Sequence, residues 1–204
     1  PATDVTLVPL GLGAAPVQAL LAGEVDALLY WASATAGFEN AGLELSQIVP
    51  ADWRQFPDYS LSVMEATVEA DPDMVVAIAR GAAKATVYAL ANPECAVKLH
   101  WQAYPETKPT GADEATLLAW DINNLKAQLA SLQDGFALNG GQFWGATDPA
   151  GFDRLQNFLS GAGVINGTIP ADDYLVAIED FYAKVNDFDA DAIRAAAEAC
   201  EVPQ

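Results

Sequence analysis

Two short stretches carry residue types that could hold a small molecule. Gly11, Leu12 and Gly13 stand just before a helix expected from Pro16 to Ala22. Free amides at a helix start attract an anion or a carbonyl oxygen, and glycines let backbone approach a ligand closely. The spacing is neither GxGxxG nor a P-loop, so a plain tight turn is the competing reading. Tyr30 and Trp31 close an apolar run that reads as a strand. Aromatic rings beyond the carboxyl end of a strand can stack on a flat ring and donate one hydrogen bond, or can fill the core. Glu39 follows on the next helix, where its carboxylate could accept from an amino group or simply face water. Trp53, Arg54 and Asp58 lie in a polar stretch. Trp53 there either lines a ligand site or covers a chain crossing. Arg54, one of only nine basic residues, is the nearest anion partner.

Other chemistries find little support. His100 is the only histidine and has no visible serine or cysteine nucleophile to serve. Cys95 and Cys200 form neither a CxxC pair nor a metal-type cluster, so no metal and no cofactor are expected. The two are either a disulfide formed in an oxidising compartment, tying down the C-terminal tail, or two unrelated thiols. The net charge is −19, from nine Lys plus Arg against 28 Asp plus Glu. Such a field repels phosphate backbones and anionic lipid surfaces, which argues against nucleic-acid and membrane partners. No continuous apolar run reaches the roughly 20 residues of a bilayer span, so direct membrane insertion is not expected.

The elements that must position these residues follow from periodicity and caps. Val5–Val8, Val25–Tyr30 and Tyr59–Val63 read as strands, with helices expected at Pro16–Ala22 and Ala32–Ala41. Asp71-Pro72 and Asn92-Pro93 are helix starts, and Val75, Ile78, Ala82, Ala85 and Ala89 form the expected buried stripe of the first. Thr110 with Asp113 resembles a capping box ahead of a helix striped by Leu118, Ile122, Leu125 and Leu129. Residues 131–147 read as a polar, Gly-rich loop. Asp148-Pro149 opens another helix, Tyr174, Ile178, Phe181 and Val185 stripe the next, and Asp189 caps the last. The alternation of strand and helix predicts an α/β fold. Three strands are few for such a sheet, so further strands are expected before Pro1. The chain opens on Pro1 without a signal peptide, as a processed or truncated product would.

The stretch VTLVPLGLGAAPVQALLAGEVDALLYWASATAGFE, residues 5–39, resembles the thiamine-pyrimidine-precursor type of periplasmic solute-binding protein, a family that includes sulfonate and taurine binders. The run DPDMVVAIARGAAKATVYALANPECAV is similar to the family's next helices, and FYAKVNDF to its C-terminal helix. The likeness is good over residues 4–105 and loose beyond, and it would cover the C-terminal two-thirds of a longer protein.

The resemblance implies a periplasmic-binding-protein type II-like fold: α/β, two-lobed, its N-terminal part missing, with a helix-rich C-terminal half. Residues 1–50 would be part of the second α/β lobe. Residues 51–110 would make the hinge return and the remaining part of the first lobe, and residues 111–204 the C-terminal helices packing on that lobe. The implied function is an extracytoplasmic, periplasmic receptor, not an enzyme, that closes on a small-molecule solute between its lobes and docks on the membrane permease of an ABC importer. Gly11, Leu12, Gly13, Tyr30, Trp31, Glu39, Trp53 and Arg54 would line the cleft. Two alternatives share the resemblance: a ligand-sensing module of a regulator, and an enzyme like the fungal pyrimidine synthases. The latter use iron and histidine chemistry that one histidine supports poorly.

Overall fold

Asp71, Asn92, Asp113, Asp148 and Asp189 each stand immediately before a helix. The side chain of each accepts a hydrogen bond from a first-turn amide. Such caps satisfy donors that no intrahelical carbonyl can reach, and proline fits the position that follows. The computed structural model describes residues 4–202, and those residues form α1 (Ala15–Leu21), α2 (Ala32–Asn40), α3 (Glu65–Ala70), α4 (Pro72–Ala91), α5 (Pro93–Ala103), α6 (Glu114–Leu138), α7 (Pro149–Gly161), α8 (Phe181–Val185) and α9 (Ala190–Ala199).

The α/β expectation is overturned. Among the described residues there is no strand and no sheet, so the two-lobed, periplasmic-binding-protein type II-like architecture is not the fold of this chain. Val5–Val8, Val25–Tyr30 and Tyr59–Val63 run as irregular chain, and no backbone ladder joins them among the described residues. The physical reason is pairing. A strand is stable only when its amides and carbonyls meet a neighbour and one face is covered. Here Leu7 is 89% exposed, so neither condition is met. β-Propensity in these runs records fitness for a covered sheet, and no sheet covers them.

Local corrections follow the same logic. Asp113 alone caps α6, accepting from the Thr116 amide and hydroxyl, and Thr110 takes no part. The stretch expected as loop from residue 131 is helical through Leu138. Tyr174, Ile178, Phe181 and Val185 do not share one helix. A 3-10 turn ends at Tyr174, and Asp180 takes the left-handed conformation (φ 53°) before α8 begins. The α4 stripe is divided. Val75 and Ala89 are buried, but Ile78 is 57% exposed, and the helix buries Val76, Ala83, Val87 and Tyr88 instead. A helix apolar on more than one face gives two acceptable stripes, and packing chooses between them.

The core is built around α4. Val87 and Tyr88 of α4 meet Cys95 of α5 and Ile193 and Ala197 of α9. Val76 and Ala83 meet Val185 of α8. A third cluster joins Val97 and Trp101 of α5 to Leu117 of α6, with Trp120 packed against it. Each fully buried Val, Leu or Ile contributes about 1.5–3 kcal/mol. By length and composition α4 is the one helix among the described residues that could cross a membrane. Its contacts with α5, α8 and α9 bury one part of that apolar surface, and Met74 and Ile78 stay exposed. Cys95 and Cys200 form a disulfide with Cα atoms 5.5 Å apart, tying the end of α9 to the start of α5.

Candidate functional site

Trp31 is the N-cap residue of α2, and its carbonyl accepts from the Ala34 and Thr35 amides. Its extended backbone (φ −90°, ψ 157°) turns the chain from the irregular run into the helix. Tyr30 stacks on it, with ring centroids 4.3 Å apart and planes 16° from parallel. Tyr30 also leans on Phe38, a buried residue of α2, at 5.0 Å. Tyr30 thus contacts both rings, and Trp31 is the more exposed of the stacked pair, at 38%. An indole backed by a stacked phenol is stiff and apolar, and a flat aromatic ligand gains contact area on it at little entropic cost. At the start of α2 no side chain caps the free amides, which leaves the first turn able to receive an anion or a carbonyl oxygen.

The remaining predicted residues are placed as follows. Gly11 and Gly13 have positive φ (71° and 84°), and a Cβ on either would meet nothing within 4 Å, so they form an open, exposed turn with Leu12. Glu39 is exposed on α2, beside Asn40, whose side chain bonds to α6. Trp53 meets the ring of Phe158 on α7 edge-on at 6.1 Å, and Phe56 meets the same ring at 5.5 Å. Arg54 donates to Asp134 of α6 at 2.9 Å. A carboxylate already faces its guanidinium. The structure therefore brings Tyr30 and Trp31 together at the start of the helix that carries Glu39. It seats Trp53 and Arg54 on α7 and α6 instead.

Two surface cavities are lined by none of these eight residues. One, of about 460 Å³, lies between the starts of α3 and α4 and the segment before α8. Glu65, Glu69 and Asp73 border it with Lys184, around an apolar floor that includes Val76 and Ile178. The second, of about 330 Å³, shares Ile178 and adds Phe143 and Phe181. The sequence marks none of these residues as ligand-binding, and Ile178 and Phe181 read there as part of a helix stripe. The available signal was the recurrence of acids at 65, 69 and 73, which spans the break between α3 and α4 and so reads as solvated surface.

No group of three or more His, Cys, Asp or Glu among the described residues is placed to hold a metal. His100 shares a 2.9 Å hydrogen bond with the Thr107 hydroxyl on the surface. Burial, with a smaller contribution from the Glu201 carboxylate, pushes the Tyr88 phenol up, and that phenol lies beside Cys95, not Trp31.

Residues 2–96 match the family model described as NMT1/THI5 like. The match spans 95 of the 204 residues (2 to 96 inclusive), fewer than half of the chain. It includes the Gly11–Gly13 turn, the aromatic pair, Glu39, Trp53 and Arg54, and it ends within α5. No curated protein and no solved structure matches the chain.

Proposed function

We propose that the chain is part of an extracytoplasmic solute receptor that delivers a small organic molecule to the permease of an ABC importer and performs no chemistry itself. The observation that carries this reading is the NMT1/THI5-like match over residues 2–96, the stretch that holds every predicted ligand residue. The disulfide supports a location outside the reducing cytosol. The strongly acidic composition fits a protein that must stay dispersed and meet no anionic partner.

The solute contact favoured by the geometry is the outer face of Trp31 with the first turn of α2. A flat heterocycle stacks on the indole, and a carbonyl or anionic substituent meets the amides of Ala32 and Ser33. Arg54 is the weaker choice, because Asp134 already engages it.

Titration of the 204-residue chain with sulfonates, pyrimidines, flavins and other small heterocycles, followed by tryptophan fluorescence, tests this reading. A saturable response is expected, and Trp31→Ala should weaken it at least about tenfold, a loss of roughly 1.4 kcal/mol. Silence across the panel, with the chain shown folded by circular dichroism, sinks the solute-binding reading. A response that survives Trp31→Ala intact moves the site elsewhere.

A further inference from the structure

The two ends of the disulfide sit in very different surroundings. Cys95 is only 2% exposed, packed among Val87, Tyr88, Ile193 and Ala197. It is the third residue of α5, and its amide donates to the Asn92 cap at 3.0 Å. The Tyr88 hydroxyl lies 3.2 Å from its Sγ. Cys200, by contrast, is an exposed residue in the left-handed conformation (φ 56°), just past the last turn of α9. Exchange with an outside thiol depends on which sulfur is reached and on how well the other leaves.

Access sets the direction of attack. An incoming thiolate meets Cys200 first, because Cys95 is enclosed. The leaving group is then Cys95: burial among apolar side chains opposes its thiolate, and its place in the first turn of an 11-residue helix works against that cost. The Tyr88 hydroxyl is within reach to donate to that sulfur. Reaction in the opposite direction would require a thiol inside the core.

We propose that Cys200 is a site of reversible modification by small thiols, with Cys95 as a built-in leaving group. In the exchange, a thiolate RS⁻ attacks Cys200 Sγ, an S–S bond forms between them, and the Cys95–Cys200 bond breaks. Cys95 departs with the electron pair as a thiolate and takes a proton from solvent. Re-attack by Cys95 on the adduct releases RS⁻ and restores the disulfide. The end of α9 stays docked throughout, because Asn92 donates to the Ala197 carbonyl at 2.9 Å and Ile193 and Ala197 remain in the core. The net charge of −19 selects the partner: a cationic aminothiol approaches more readily than an anionic tripeptide thiol.

The test treats the oxidised chain with cysteamine or glutathione under native conditions, quenches with acid, blocks free thiols and maps tryptic peptides. Cleavage after Lys84, Lys98 and Arg194 places Cys95 and Cys200 in separate peptides. The mixed disulfide is expected on the Cys200 peptide and the blocked thiol on the Cys95 peptide, with helical circular dichroism retained. Cysteamine should react several-fold faster than glutathione at low salt, with the gap closing at high salt. Tyr88→Phe, which keeps the ring, should slow the exchange roughly threefold or more. Adduct on Cys95, an even split between the two, or exchange only in denaturant would overturn the proposal. A Tyr88→Phe variant exchanging at the original rate would remove Tyr88 from it. None of these outcomes depends on solute binding.

Discussion

The Asn40 side chain on α2 and the Asn124 side chain on α6 share a 3.0 Å hydrogen bond across the helix pair, with Asn40 donating. The same amide nitrogen reaches the Trp120 carbonyl at 3.0 Å, and Asn123 donates to Asn40 Oδ1 at 2.9 Å. One residue thus pins α2, and with it the Tyr30–Trp31 stack, to the longest helix of the chain. Asn40→Ala should therefore destabilise the chain by about 1–3 kcal/mol, because partly buried partners lose their bonds. Urea unfolding followed by circular dichroism should show a lower midpoint at unchanged slope. An unaltered midpoint would mean that α2 is held by its apolar face alone.

Arg54 and Asp134 make the opposite case. Their side chains are 60% and 55% exposed, and exposed ion pairs contribute only about 0–1 kcal/mol. Arg54→Ala and Asp134→Ala should each shift stability by less than about 1 kcal/mol. If Arg54 served the solute, Arg54→Ala alone would abolish binding of anionic candidates. The expected result is that it does not.

Asp113 ties stability to pH at the start of α6. The Thr116 amide, then the Thr116 hydroxyl, hold its carboxyl below the usual carboxylate range. A depressed folded pKa means that the contribution is complete above the unfolded value of about 3.9 and is lost as pH falls through the lower folded value. Asp113→Asn should flatten the decline in stability between about pH 5 and pH 2 relative to the parent chain. Parallel pH curves for the two proteins would count against this cap as a titrating contributor.

How much of this was legible depended on whether the deciding interaction was local. Asp71-Pro72, Asn92-Pro93 and Asp148-Pro149 announce their helices because cap and first turn lie within four residues of each other. Val5–Val8 and Tyr59–Val63 misled because a strand needs a partner from elsewhere, and their composition is equally compatible with an unpaired run. The end of α6, residues 131–138, was hidden by Asp134 and Gly135, residues that read as loop but are carried by a helix already under way. At the candidate site, the aromatic end of the run Val25–Tyr30 was visible in sequence. The backing of Tyr30 by Phe38 eight residues on was not, because it arises only when the chain turns at Trp31.

Gly81 and Gly151 test the packing directly, since both lie inside helices and differ in what surrounds them. A Cβ at Gly81 in α4 would meet nothing within 4 Å. Gly81→Ala should thus stabilise by up to about 1 kcal/mol through helix propensity alone. A Cβ at Gly151 in α7 would stand 3.4 Å from the Gln55 carbonyl oxygen and 3.4 Å from Pro57 Cγ. There the propensity gain is opposed by displacement of the segment that carries Trp53 and Phe56 onto Phe158. Gly151→Ala should gain little or nothing, and Gly151→Val should lower the urea midpoint. If Gly151→Val matched the parent chain while Gly81→Ala behaved as expected, residues 53–57 would not be seated on α7 in solution.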